Sequence, residues 1–460
     1  MMCIRFEDGW PYRPPKLFVD GIVSEHAVTD GELCLYQPGE SSIASWLTFT
    51  AFQARITKWA QSQETGFRPE DAMLDAHLYF REKNGALAMI DLSALSIVED
   101  DKAGRTGSLF ARWDRDQHVL TLSQDRSSTG ADIPGRWYYH GKPIQTPPRD
   151  LESFRDALTA GQRKNFDRRL KNIEKNEGPA VFTFLWDTQY GGRNALVVLV
   201  SLTEDGDMQA KALELAPTDT SILQLRAGPD VEALRDKRIV VFGVGAIGSN
   251  VACRLAEAGV GWLTLVDGDT LRPSNVVRHA ASYGIGKHKT LATEMEIKVN
   301  APWTEVKNIP MSPWSPKQLQ ELLADCDLAI ETTGMATFAE LLARVAEAMS
   351  IPLVSAALFR GGSVGRVRRQ ALGTDTPIAG RLDEKRYPLI PVGDEPIALE
   401  PGCSAPVNNA SPVAVAAIAA TTAEVVIDLL TERIRYDDEV IEVYRPLELE
   451  PFDRIGRLRG

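Results

Sequence analysis

Paired cysteines are what this sequence most plainly lacks. Its five cysteines, Cys3, Cys34, Cys253, Cys326 and Cys403, are scattered and form no C-x-x-C pair. A zinc knuckle and a disulfide framework are therefore not indicated, and each thiol has to be judged alone. Positive charge is also in short supply, with 51 Lys and Arg against 63 Asp and Glu and a net charge of -12. A nonspecific grip on nucleic acid needs a concentrated basic surface, so no nucleic-acid partner is expected, although a local basic patch stays open. No apolar run approaches the roughly 18 to 20 residues that span a bilayer. The stretch Met1 to Trp10 carries Arg5, Glu7 and Asp8 in place of the basic and apolar regions of a secretory signal. These absences predict a cytoplasmic chain with no membrane partner.

What is present reads as globular. Hydrophobic residues make up 44% of 460 and charged residues 25%, with a mean hydropathy of -0.18, and a chain this long should divide into two to four domains, each with its own core. No internal repeat is evident.

The clearest organisation lies in the carboxy-terminal half. KRIVVFG reads as a buried strand running into Gly243, Gly245 and Gly248 of GVGAIGS, with a helix following over about 249–258. Strand, glycine turn and helix in that order let the backbone approach a phosphate and aim unpaired N–H groups at it. A second strand, WLTLVD, ends in Asp267, where an acid can hydrogen-bond a ribose hydroxyl. On its own this pattern would suit a dinucleotide oxidoreductase. The segments that follow, DGDTLRPSNVVRH and GIGKHKT, place Asn275, Arg278, Lys287 and Lys289 where a triphosphate needs neutralising.

Over about 60 contiguous residues this stretch resembles the ThiF, MoeB and ubiquitin-activating family: the glycine loop, then AGVGWLTLVDGD with Asp267 and Asp269, then SNVVRH, then IGKHK. The resemblance implies a Rossmann-like adenylation domain that uses ATP and Mg2+. It also implies that Asp267 holds the ribose and that Asn275, Arg278 and Lys289 contact the phosphates during attack by a carboxylate. The family's second metal-binding aspartate is replaced here, because DLAIETTGM puts Glu331 and Gly334 at the relevant places. Glu331 and Asp269 are left as candidate magnesium ligands, and the metal set is not assigned. IPLVSAALFRGGSVGRVRR reads as a further strand and hairpin of the same domain. A long Pro-rich stretch then delivers Cys403 in PGCSAPVNNASP, just before an Ala-rich helix over about 412–431. In the family the loop at this place carries the cysteine that takes the activated carboxylate as a thioester. Cys253 and Cys326 read as structural.

Near the amino terminus, WPYRPPKLFV, EHAVTDGELCLY, Trp46 and an amphipathic stretch to Trp59 resemble the middle of a ubiquitin-conjugating domain, with Cys34 on its catalytic cysteine. His26 stands for the first residue of H-P-N, but Ala27 and Val28 follow, so the asparagine is missing. Only about ten residues precede the proline motif, which leads to the expectation of a truncated start. Residues 63–228 carry no recognisable motif. GALAMIDLSALSIV, SLFARW, HVLTLS, AVFTFLW and ALVVLVSL are strand-like, and 150–175 has helical spacing with a charge run most simply read as a solvated face.

The expected fold class is thus α/β, with an N-truncated ubiquitin-conjugating-like α+β domain at 1–62, an α/β connecting domain at 63–228 and a Rossmann-like adenylation domain at 229–460. The layout resembles bacterial activating–conjugating fusions of CBASS anti-phage operons. That resemblance implies acyl transfer from adenylate to Cys403, then to Cys34, then to a target amine, by a homodimer. The activated protein would be a cGAS-like nucleotidyltransferase or a ubiquitin-like protein. The alternative is a MoeB-type sulfur-carrier adenylyltransferase, but such enzymes usually carry two C-x-x-C pairs and no conjugating module.

Overall fold

The computed structural model describes all residues except 23, 25, 29, 37–41, 68–74, 96, 98–103, 115, 117, 127–131, 145, 176–177, 189–191, 381–389, 391–397, 400–405, 408 and 459–460. The chain forms two compact units, Met1–Ile222 and Leu223–Gly460.

The first unit begins with an antiparallel pair, β1 (Met2–Arg5) and β2 (Lys16–Val19). Helix α1 (Phe49–Thr65) follows, its amino end capped by the Thr48 hydroxyl, which accepts from the Ala51 N–H at 3.2 Å. Leu17, Ala27, Leu33, Leu35, Phe52 and Trp59 form a small core between them. The two tryptophans singled out in the sequence tie this region together, Trp46 Nε1 donating to the Pro11 carbonyl at 2.8 Å and Trp59 Nε1 to the His26 carbonyl at 3.1 Å.

Residues 83–217, expected as an α/β connector, are dominated by strands. Seven of them close into a barrel in the order β3-β5-β4-β6-β7-β8-β9: β3 (Lys83–Ile90), β4 (Thr106–Asp114), β5 (Val119–Ser123), β6 (Ile133–Tyr139), β7 (Ala180–Asp187), β8 (Arg193–Leu202) and β9 (Met208–Pro217). Closure is made by β3 pairing in parallel with β9, Leu87 opposite Glu214, which removes the exposed edges an open sheet would have. Side chains alternate along β6. Trp137 and Tyr139 join one core with Val181, Val197 and Leu213, whereas Tyr138 packs with Phe154, Phe166 and Phe182 beneath helices α2 (Leu151–Asp156) and α3 (Ala160–Glu174).

The short helix α4 (Thr220–Leu223) spans the boundary, and the first helix wholly within the second unit is the short α5 (Val231–Leu234). Its sheet has the order β12-β11-β10-β13-β14-β15-β18-β19. Strands β10 (Arg238–Phe242), β11 (Trp262–Val266), β12 (Glu305–Ile309), β13 (Leu328–Glu331) and β14 (Leu353–Phe359) are parallel. Strands β15 (Val364–Gln370), β18 (Glu439–Val443) and β19 (Gly456–Leu458) add antiparallel pairs, and β16 (Ala398–Leu399) pairs separately with β17 (Pro406–Val407).

Both faces of the sheet are covered, so its strands are apolar on both sides. Ile239 and Val241 of β10 enter one core with Val251 and Ile418, while Val240 and Phe242 enter the other with Phe338 and Leu342. The first face is layered by α6 (Ala246–Glu257), α8 (Lys289–Asn300) and α11 (Pro412–Leu430), the second by α9 (Pro316–Leu323) and α10 (Ala336–Met349); α7 (Pro273–Val276) is a single turn. Counted by length and composition instead of as an unbroken run, α11 is apolar enough to cross a bilayer, which corrects the reading of the sequence. Half of it is buried, through Val415, Ile418, Ala419, Val425 and Val426, as expected of a core helix.

Strand order reverses at β10, whose neighbours are β11 and the later β13. Ligands of open α/β sheets bind beside the carboxyl ends of the strands at such a switch point.

Candidate nucleotide and carboxylate site

The glycine loop sits at that switch point, and its three glycines differ in what holds them. Gly243 has φ +84°, and a Cβ there would lie 2.7 Å from the Thr333 nitrogen. A Cβ on Gly248 would drive into the Gly243 carbonyl oxygen and come within 2.5 Å of Thr332 Oγ1. These two glycines are demanded by backbone packing. Gly245 has nothing within 4 Å of its would-be Cβ and opens onto the cavities described below.

Asp267, just past β11, is bound to the loop it serves. Its Oδ2 accepts the Val244 N–H at 2.8 Å and its Oδ1 the Asp269 N–H at 2.8 Å. Burial raises its pKa, and the Lys289 charge and these hydrogen bonds oppose the rise. Lys289, the first residue of α8, donates from Nζ to Asp269 Oδ2 at 2.7 Å; the lysine side chain is mostly buried and the Asp269 side chain 75% exposed. Together with Gly243, Gly245, Thr333, Met311, Trp314 and Phe338, these groups line a cavity of about 380 Å³, within the usual range for small-molecule sites. Its walls are apolar on the Trp314 and Phe338 side, where the rings meet edge to face at 5.4 Å, and charged on the Asp267 and Lys289 side. A base and a phosphate chain would find matching surfaces.

A second cavity of about 780 Å³ shares Gly245, Thr332, Thr333 and Met335 with the first. Arg278, Arg366 and Arg368 line it with the small side chains of Ala339, Ala356 and Ala410. Arg278 belongs to this cavity and not to the one holding Asp267 and Lys289; its Nη1 donates to the Ala410 carbonyl at 3.2 Å, and burial lowers its pKa. Asn275 lines neither cavity. Its Oδ1 accepts the Arg272 N–H at 3.2 Å and so organises the turn that presents Arg278.

Three residues were not picked out by sequence reasoning. His279, last of the quoted SNVVRH, is buried, accepts the Ala281 N–H on Nδ1 and lies 2.9 Å through Nε2 from the Val244 carbonyl. With Nδ1 accepting, Nε2 must carry the proton and donate, which fixes a neutral ring; burial brings its pKa down to about 4. It pins the Arg278 segment to the glycine loop. Trp314 and Phe338 had only the weak signal of lying beyond strand ends.

The metal candidates are committed elsewhere. Glu331 is buried, its Oε1 accepting the Thr333 N–H at 2.8 Å and hydroxyl at 2.6 Å and its Oε2 the Ser355 hydroxyl at 2.7 Å. Asp269 is paired with Lys289. Among the described residues no three His, Cys, Asp or Glu side chains are grouped to hold a metal.

Cys403 falls outside the described residues. Cys34, in the first unit, donates its backbone N–H to the His26 carbonyl at 2.9 Å. It is partly buried, and burial, reinforced by the Glu32 charge, pushes its thiol up to about 12. The His26 ring is buried against Phe67, with centroids 3.8 Å apart. Cys253 is buried in α6, Cys326 is partly buried after α9, and Cys3 is exposed on β1.

Comparison with known proteins places this unit. The chain is 25% identical over 309 residues to protein y4oA of Sinorhizobium fredii, covering 61% of this chain and 52% of that protein. It is 31% identical over 196 residues to the ATP-dependent ubiquitin transferase-like protein Cap2 of Pseudomonas aeruginosa, covering 41% and 34%. The chain thus spans about half the length of the first relative and about a third of the second. Among solved structures, E. coli MccB in complex with MccA-N7isoASN aligns at 14% identity and a TM-score of 0.40, over 52% of this chain and 66% of that one. The ThiF family matches residues 219–449, half of the chain, and the protein therefore belongs to the ThiF family.

Proposed function

We propose that the second unit uses ATP to adenylate the carboxy-terminal carboxylate of a protein substrate. The observation that carries this reading is the pair of cavities meeting at Gly245, Thr332 and Thr333, one with a base-sized apolar wall and an acid for ribose, the other with Arg278 at its lining. A carboxylate in the second cavity attacks the α-phosphorus of ATP, the α–β phosphoanhydride bond breaks, and pyrophosphate leaves. Lys289 and the loop N–H groups stabilise the charge that develops, and Arg278 holds the incoming carboxylate. Magnesium, if it accompanies ATP, would be held by phosphate and water, and no step is assigned to it.

The acyl group then passes to Cys403, whose thiolate displaces AMP, next to Cys34 by thioester exchange, and finally to a target amine. The likeness to Cap2, described as ubiquitin transferase-like, supports this sequence. The substrate would be a cGAS-like nucleotidyltransferase or a ubiquitin-like protein, and the working form a homodimer. Burial raises the Cys34 pKa, so a substrate complex that uncovers or deprotonates that thiol would favour the second transfer. A nonreducing gel tests the relay. Cys34→Ala should accumulate a reducible adduct on Cys403, and Cys403→Ala should show none. An adduct on Cys34 forming at full rate in Cys403→Ala refutes it.

A further inference from the structure

The barrel of the first unit carries a group of cations that adenylation does not use. Arg136 lies on β6 with the same parity as Tyr138, whose hydroxyl donates to Asn165 Oδ1 of α3 at 3.3 Å. The alternation of the strand therefore brings Arg136 out on the face where α3 packs. There burial, and after it the charges of Arg169 and Arg168, depress its pKa. Its Nε is buried with no hydrogen-bond partner among the described residues. Asp167, the acid within this part of α3, is already engaged by Arg155, which donates to it at 2.7 and 2.9 Å. The charges of three guanidinium groups thus act on one place, where the nearby carboxylate of Asp167 is held by Arg155, and an added anion would relieve their repulsion.

The helix extends the pattern. Lys164, Arg168, Lys171 and Lys175 recur at spacings of four, three and four, and all are exposed. Residues so spaced share one helix face, and eleven residues rise about 16 Å. Five cations against two acids, Asp167 and Glu174, lie over 164–175, a local reversal of sign in a chain of net charge -12.

We propose that Arg136, Arg168 and Arg169 form a phosphate-binding site on the barrel, with Lys164, Lys171 and Lys175 continuing it along α3. Guanidinium forks match phosphate oxygens in pairs, whereas the ammonium groups act as point charges along a track. The ligand is a phosphate group, and the two sources sharing that chemistry are a free polyphosphate and the backbone of a single nucleic acid strand.

The test uses the full chain with two probes at low salt, inorganic pyrophosphate by calorimetry and a labelled 20-nucleotide dT strand by anisotropy. Arg168→Gln/Arg169→Gln, at surface positions, should weaken binding of at least one probe tenfold or more while ATP–pyrophosphate exchange by the second unit stays unchanged. Arg136→Gln should weaken binding likewise and melt at the wild-type temperature or higher, because it removes an unpartnered buried donor and a repulsion. If Lys164→Gln/Lys171→Gln weakens only the dT strand, and the wild-type salt slope shows several phosphate contacts at about -0.7 each, the source is a strand. If only pyrophosphate responds, the source is a free polyphosphate. Binding of both probes unchanged in Arg168→Gln/Arg169→Gln overturns the proposal, and so does a lower melting temperature of Arg136→Gln with unaltered binding.

Discussion

Replacing Gly248 with alanine should damage the second unit far more than the same change at Gly245, although both glycines belong to one motif. A methyl group on Gly248 meets the Gly243 carbonyl oxygen and sits 2.5 Å from Thr332 Oγ1, where ordinary contact begins at 3.4 Å. Neither neighbour can yield easily. Thr332 Oγ1 donates to that same carbonyl at 2.6 Å, and Gly243 is pressed against the Thr333 backbone. Relief requires α6 to move away from β10, breaking the hydrogen bond and opening the core around Val244 and Val251. Overpacking of this kind costs about 1 to 3 kcal/mol, and the lost hydrogen bond adds about 1 kcal/mol. In a unit of this size each kcal/mol moves the melting temperature by roughly 2 to 4 °C, so a fall of about 5 to 15 °C is expected by calorimetry. Gly245→Ala places its methyl in open space and should melt within a few degrees of wild type, yet it should lose ATP binding because that space is the ligand's. Equal melting temperatures for Gly248→Ala and wild type, or normal ATP binding by Gly245→Ala, would refute the division of labour.

Cys34 and His279 give two tests that turn on pH. With the Cys34 thiol pushed up to about 12, its thiolate fraction near pH 8 is about a thousandfold below that of an ordinary cysteine; native alkylation followed by mass spectrometry should label exposed Cys3 first, and the Cys34 rate should still be climbing at pH 10. A Cys34 rate that levels off below pH 9 contradicts the burial argument. His279 has a folded-state pKa of about 4, below its unfolded value, so its contribution to stability is complete above about pH 6.5 and is lost as pH falls toward 4. Urea titrations should show about 2 to 3 kcal/mol of this loss between pH 7.5 and 4.5 in the wild type and much less in His279→Gln, and parallel pH profiles would remove His279 from the account.

The second unit was largely legible because its signals are local. A strand, a glycine turn and a helix lie within twenty residues, and Asp267 follows at the end of the next strand; the hairpin of β14 and β15 and the core helix α11 also announce themselves in continuous sequence. The barrel was not legible, because its closure depends on Leu87 meeting Glu214 across more than a hundred residues. Two of its strands are disguised. MQAKALELAP of β9 is rich in helix formers and IPGRWYY of β6 begins with Pro134 and Gly135, so tertiary pairing overrides propensity in both. Of the first cavity's lining, Gly243, Gly245, Asp267, Asp269 and Lys289 come from continuous motifs, whereas Trp314 and Phe338 face it from segments 24 positions apart and carry no joint signal. Arg278 and Lys289 were found as a pair, yet they line different cavities; sequence order does not show which side of the glycine loop each side chain takes.

The most direct test of adenylation is isotopic exchange of pyrophosphate into ATP, with proteins encoded beside this gene as carboxylate donors. The account predicts exchange that depends on a donor with a free carboxy terminus, disappears when that terminus is amidated, and falls on the order of 100-fold or more in Lys289→Ala, since that cation acts on charge developed in the transition state. Because Asp269 is exposed and its pairing with Lys289 contributes little to stability, the variant should remain folded. Exchange at the wild-type rate in folded Lys289→Ala, or equal exchange with amidated and free donors, would contradict the central claim.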